Sequence, residues 1–211
     1  MKILIPTIMG AAMIAAPAAA TTFTLSSYTL DAYGSPSNNG LEIDIDDLLS
    51  VPTTFDLDEG QSVTYTLFGI STPEDAFNSD DTTPQPITLG LTFSQPLPNS
   101  GAGTGGETSG QILLGNVLFG VTGGVLEWAN NGAFSMSYGA LNDGMLGIQV
   151  EDAVFGEGAC VFFSCGFSDL GAAVEVTFTN LQDASVPEPG ALGLLGLGLL
   201  GLGAAARRRT A

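Results

Sequence analysis

Twenty-two aspartates and glutamates, and not one histidine, define the chemistry open to this 211-residue chain. All of the acids lie between Lys2 and Arg207, a stretch that holds no Lys, Arg or His. Without histidine there is no Ser-His-Asp or Cys-His nucleophile, and without lysine inside that stretch there is no Schiff base or Ser-Lys pair. Carboxylates, hydroxyls and bound metal ions remain. Aspartic-protease chemistry sets two Asp in Asp-Thr-Gly or Asp-Ser-Gly turns, and neither tripeptide occurs. Glycoside hydrolysis needs two carboxylates about 5 to 9 Å apart across a sugar. No motif here singles out such a pair.

The acidic clusters suit calcium, a hard cation that takes several oxygen ligands. Glu42, Asp44 and Asp46 would point to one side of a strand at intervals of about 6.6 Å, with Asp47 just behind. Asp56-Leu57-Asp58-Glu59-Gly60 matches part of a calcium loop, without its third ligand position or its distant Glu. Asp44, Asp46, Asp47, Asp56, Asp58 and Glu59 are therefore the candidate ligands, and calcium the one candidate cofactor. Asp80-Asp81 and Glu151-Asp152 fall in expected loops. For every cluster the alternative is a solvated acidic face that keeps the protein soluble. With no cation in the segment, each carboxylate must be solvated, bonded to N–H or hydroxyl groups, or held by a metal. The same negative field repels phosphate, which argues against nucleic acid as a partner.

Cys160 and Cys165 are the only cysteines. In an oxidising exterior compartment they are expected to form a local disulfide that pins a turn around Phe162-Phe163. A redox centre would want Cys-x-x-Cys spacing or a nearby cation, and a zinc site would need two further ligands.

The elements that must carry these residues read as strands. Apolar and polar residues alternate in Leu41–Asp46, Val63–Leu67 and Ile87–Phe93, as half-buried strands require. Further runs span Phe23–Leu30, Ile112–Phe119, Val125–Trp128, Phe134–Tyr138, Met145–Val150 and Val174–Phe178, which makes about nine antiparallel strands. Asn38-Asn39-Gly40, Asn130-Asn131-Gly132 and Asn142-Asp143-Gly144 supply residues that tolerate positive φ in tight hairpins. The Gly-rich stretch 99–110 predicts a long mobile loop that crosses between sheets, and Pro73–Phe77 a single helical turn. The expected fold is all-β: one β-sandwich or jelly-roll-like domain over residues 21–185.

Both ends have a different character. Lys2, the apolar run Ile3–Ala16 and Ala18-Ala19-Ala20 are the three parts of a secretory signal over residues 1–20. Cleavage is expected after Ala20, with Ala18 and Ala20 as the small residues at the cut, and with the secretion translocon and signal peptidase as partners. At the other end come Val186-Pro187-Glu188-Pro189-Gly190, an apolar stretch over 191–206, and Arg207-Arg208-Arg209. A helix over about 190–206 would run about 24 Å, a little short of a bilayer core that snorkelling arginines can reach across. The arginines should stay on the cytoplasmic side as a membrane stop. Gly196-x-Gly198-x-x-Gly201 fits the dinucleotide-binding string, but no strand precedes it and it interrupts a Leu-rich helix.

This tail resembles the PEP-CTERM sorting signal of Gram-negative bacteria over about residues 186–209, a motif also labelled the ice-binding protein C-terminal domain. The domain boundaries that follow are 1–20, 21–185 and 186–211. The resemblance implies export across the inner membrane, processing by an exosortase-type membrane protease, and delivery to the cell surface or medium, often where exopolysaccharide is made. A single-pass anchor that is never cut is the alternative. Three functions remain open. The first is a non-enzymatic surface or matrix protein associated with exopolysaccharide or biofilm. The second is a carbohydrate-binding or calcium-dependent adhesion module, with Tyr28, Tyr33, Trp128 and Tyr138 available to stack on sugars. The third is a carboxylate-dependent glycan hydrolase.

Overall fold

A computed structural model describes residues 20–32, 40–98, 100–116 and 118–185, together with Gly198. Its strands are β1 (Thr21–Ala32), β2 (Asp44–Asp47), β3 (Thr53–Leu57), β4 (Ser62–Ser71), β5 (Gln85–Gln95), β6 (Ser100–Asn116), β7 (Phe119–Trp128), β8 (Ala133–Tyr138), β9 (Gly144–Val150), β10 (Ala153–Val161), β11 (Ser164–Cys165) and β12 (Ala172–Gln182). They form two antiparallel sheets. The larger is ordered β11-β10-β7-β6-β5-β1-β3 and the smaller β2-β4-β12-β9-β8.

Period-two alternation decides which side of each strand is buried. In β5, Ile87, Leu89, Leu91 and Phe93 are buried while Thr88 and Thr92 face solvent; in β12, Val174, Val176, Phe178 and Asn180 point inward. One apolar cluster draws on both sheets. Phe178 of the smaller sheet stacks on Phe55 of the larger at 5.1 Å and meets Phe93 edge-on at 5.7 Å, while Phe23 meets Tyr138 edge-on at 5.1 Å. Such contacts add about 0.5–1.5 kcal/mol each beyond the area they bury.

Several expectations fail. Twelve strands replace about nine, because β3, β10 and β11 are short or irregular in pattern. The Gly-rich stretch is a strand rather than a mobile crossover loop: β6 pairs with β5 along one edge and β7 along the other. Its glycines answer to close approach. A Cβ on Gly103 would sit 2.6 Å from the Leu89 carbonyl oxygen, and one on Gly106 would sit 2.6 Å from that of Glu127 and 2.9 Å from the Trp128 ring. The run Ile112–Phe119 is split by a hairpin tip, where Gly115 takes φ +86° and Asn116 Oδ1 accepts the Leu118 and Phe119 N–H groups. Residues 73–77 hold bends and no helix. Asn130, Asn131 and Asn142 do adopt the left-handed region, but of these turns the one at Asn142 alone closes a hairpin, between β8 and β9. Asn130-Asn131-Gly132 instead carries the chain from β7 in the larger sheet to β8 in the smaller, and Asn38 and Asn39 lie outside the described residues.

Candidate functional site

The end of the domain from which the carboxyl-terminal tail departs is built around one buried amide. Asn180 occupies an inward position of β12 where the alternation would place an apolar residue, and it is fully buried. Its Nδ2 donates to the Leu57 carbonyl (3.1 Å) and to Asp183 Oδ1 (2.6 Å), and its Oδ1 accepts from the Tyr138 hydroxyl (2.8 Å). The Gln182 carbonyl lies 2.9 Å from the same hydroxyl. Thr21 Oγ1 reaches Asp183 Oδ1 at 3.2 Å, and the turn after β3 closes on the same residue through Gly60 N–H to the Asn180 carbonyl (2.7 Å). Burial raises the Tyr138 phenol above its ordinary value, with Asp183 adding to the effect.

The segment is fixed up to Ser185, whose N–H donates to Asp143 Oδ2 (3.1 Å) and whose hydroxyl donates to the same oxygen. Those bonds from Ser185 hold the Asp143 carboxyl below the usual carboxylate range. Asp143 belongs to a predicted hairpin turn, but nothing in the sequence tied it to residue 185. An inward Asn in β12 is the signal by which Asn180 could have been found.

At the opposite pole the larger sheet projects as an arm. Gln85 at the start of β5 pairs with Thr108, and residues 109–116 of β6 run on beyond it, paired with β7 for roughly 25 Å. At the arm's end, Cys160 and Cys165 are joined in a disulfide across the β10–β11 hairpin, with Cα atoms 3.9 Å apart. The hairpin turns on Phe162 (φ +48°) and Phe163 (φ +70°), which are 69% and 78% exposed. Type I′ geometry of this kind ordinarily takes Asn-Gly. Phe119 packs edge-on against Phe162 at 5.0 Å, and Leu114 is exposed beside them in sequence register. Residues 108–126 and 158–168 carry no charge, so this tip is an uncharged apolar end on a strongly acidic protein.

The calcium candidates do not converge. Asp44, Asp46 and Asp47 lie on β2, at the edge of the smaller sheet, and Asp47 accepts the Tyr28 hydroxyl at 2.8 Å. Burial, then Asp47, raises the Tyr28 phenol to about 12. Asp56 lies on β3, at the edge of the larger sheet, and accepts Thr22 Oγ1 at 2.6 Å. Asp58 and Glu59 form an exposed turn closed by Gln61 N–H to the Asp58 carbonyl (3.0 Å). Among the described residues, no three acidic side chains gather in a way that could hold a metal ion. Trp128 and Tyr138 are core residues, with Trp128 Nε1 donating to the Glu151 carbonyl at 3.1 Å, so neither presents a face to a sugar. Tyr33 lies outside the described residues. A shallow cleft of about 440 Å³ on the outer face of the larger sheet includes Glu107 and Glu127, directly opposite one another on β6 and β7.

Ala20 is exposed and immediately precedes β1. Ala18, Val186, Pro187, Glu188, Pro189, Arg207, Arg208, Arg209 and the expected membrane helix over about 190–206 lie outside the described residues, Gly198 apart. Among the described residues no helix is long and apolar enough to cross a membrane. Residues 185–209 match the family model of the PEP-CTERM protein-sorting motif. That motif implies export and processing by an exosortase, a membrane protease. No curated protein and no solved structure matches the chain.

Proposed function

We propose that this chain is exported sorting cargo, cut near Pro187-Glu188-Pro189 and used at the cell surface or in the extracellular matrix as a non-enzymatic protein associated with exopolysaccharide or biofilm. The observation that carries the reading is the PEP-CTERM match at residues 185–209. It begins at Ser185, the last residue the Asn180 and Asp143 contacts hold against the domain. The protease would therefore meet its motif at the edge of a folded body. The route leads across the inner membrane of a Gram-negative cell, with the tail anchored there transiently and the three arginines on the cytoplasmic side. We read residues 21–185 as one sandwich of the jelly-roll kind, supported by the single core shared by both sheets.

Intact-mass analysis of material from the cell surface and the medium tests this, alongside a chain in which Pro187, Glu188 and Pro189 are replaced by alanine. The expected outcome is a mature mass lacking both ends, and a variant retained in the membrane fraction with its tail. Full-length chain in the cytosol, with both termini intact, would refute the reading.

One observation favours a second reading, a glycan hydrolase. Strand partners directly opposite have Cβ atoms about 4.5–5.5 Å apart, and like charges so placed cost stability. Glu107 and Glu127 keep that arrangement beside an open cleft, which gives two carboxylates on neighbouring strands at one shallow site, the residue types that glycoside hydrolysis needs. Polysaccharide turnover that survives both Glu107→Gln and Glu127→Gln removes this reading.

A further inference from the structure

The segment between β4 and β5, residues 72–84, straps the arm to the body. Phe77 N–H donates to the Cys165 carbonyl (2.9 Å), Phe167 N–H to the Asp75 carbonyl (3.3 Å) and Gly110 N–H to the Asp81 carbonyl (2.7 Å). Phe77 and Phe167 meet edge-on at 5.9 Å. A Cβ on Gly110 would lie 2.9 Å from that of Asp81, so the aspartate rests directly on the glycine backbone of β6.

Within this strap Asp81 is fully buried. Its Oδ2 accepts the Asn78 N–H at 2.7 Å, while its Oδ1 is buried with no hydrogen-bond partner. The Glu74 carboxyl, half-buried, comes within hydrogen-bonding reach of the Asp81 carboxyl, and its Oε1 also accepts the Glu42 N–H at 2.6 Å. Two ionised carboxylates are acceptors only and cannot bond one another. The next charged group acting on both is Asp80, also an acid. Asp75 and Glu42 in the same region are acids too, and no Lys, Arg or His exists between residues 3 and 206. The positive charge that would let two such groups meet must come from solution, as a proton or as a metal ion.

We propose that Glu74 and Asp81 bind a divalent cation, calcium in an exterior setting, and that the bound ion locks the strap of residues 72–84 onto β6 and the disulfide hairpin. The inference draws on the chain's export only for the choice of ion. Carboxylates bind calcium through one or both oxygens, and the open side of Glu74 leaves room for water among the remaining ligands. Two carboxylates place the site in the weak class of extracellular modules, with a dissociation constant of about 0.1–1 mM. Burial raises the proton affinity of both carboxyls, as expected where neighbouring negative charge is poorly solvated.

The test uses the purified mature protein at neutral pH, stripped with chelator and then melted with and without calcium chloride. At a tenfold excess over the dissociation constant the melting temperature should rise by about 3–5 °C, and proteolysis within 72–84 should slow. Asp81→Asn should abolish the rise, whereas Asp44→Asn with Asp46→Asn should leave it intact. If Asp81→Asn does not fold, Glu74→Gln serves the same purpose. Equal melts with calcium and with chelator overturn the proposal in favour of a shared proton. An equal rise in wild type and in the site variants overturns it in favour of diffuse screening of the acidic surface.

Discussion

Replacing Asn180 with alanine should be the most damaging single change at the tail-bearing end of the domain. The substitution removes the donor to the buried Leu57 carbonyl, the charge-assisted bond to Asp183, and the acceptor at Tyr138. Tyr138 keeps a partner in the Gln182 carbonyl, so its loss is partial. An orphaned buried carbonyl costs about 1–3 kcal/mol, and a bond to a charged group contributes about 1.5–3 kcal/mol. The expected loss is about 4 kcal/mol, or a fall of about 8–16 °C in melting temperature for a domain of this size. Tyr138→Phe alone should cost about 1–2 kcal/mol. Because the two side chains share a bond, Tyr138→Phe should cost about 1 kcal/mol less when Asn180 is already alanine. Asn180→Asp should be no better than alanine at neutral pH, since it sets a second carboxylate where the amide now donates to Asp183. Urea and thermal unfolding of the purified mature protein measure all four. A loss under about 1 kcal/mol for Asn180→Ala, or a double-mutant cycle with no coupling, would refute the claim that this amide organises the end of the fold.

Three further outcomes follow from local geometry. Phe162→Asn with Phe163→Gly relieves two aromatic residues from the left-handed region, which costs roughly 1–2 kcal/mol per residue, so the pair should raise the melting temperature and reduce binding of a hydrophobic dye. Gly106→Ala and Gly132→Ala should each destabilise by more than about 2 kcal/mol, since the new Cβ would lie 2.6 Å and 1.9 Å from carbonyl oxygens, whereas Gly60→Ala meets nothing within 4 Å and should cost about 1 kcal/mol through its φ alone. The Tyr28 phenol, raised from 10.0 to about 12, favours the folded state in its neutral form. Its contribution is complete below pH 10 and disappears as the pH rises through about 12, and Tyr28→Phe should remove that part of the alkaline unfolding profile.

Strands with side chains on both faces were legible in the sequence, because β5 and β12 advertise their buried side residue by residue. Turns at Asn130–Gly132 and Asn142–Gly144 were legible for a related reason, since those side chains tolerate a backbone that most residues avoid, although the first proved to be a crossing between sheets and not a hairpin. β6 was not. Glycine has no side chain to show which face is buried, so a strand whose glycines exist to let neighbouring backbones approach has the composition of a flexible linker. The two acidic clusters of β2 and of Asp56–Glu59 drew attention through sequence density, yet they sit on edges of different sheets. Asp81 is buried only because a strap folds it onto Gly110, a contact between residues far apart in sequence that no local pattern encodes. Asn180 lay within reach, as a polar residue at an inward position of an otherwise apolar face.

The place of β12 has a consequence for the order of events during export. This strand is flanked on both sides within the smaller sheet, by β4 and β9, yet it ends only a few residues before the match to the sorting motif begins. A chain threading outward amino terminus first cannot complete that sheet until nearly all of it has crossed. The last stretch to emerge is thus both the keystone of the fold and the approach to the tail. Holding the tail in the bilayer would keep the incomplete sheets tethered while they close, so that what the protease releases is already folded.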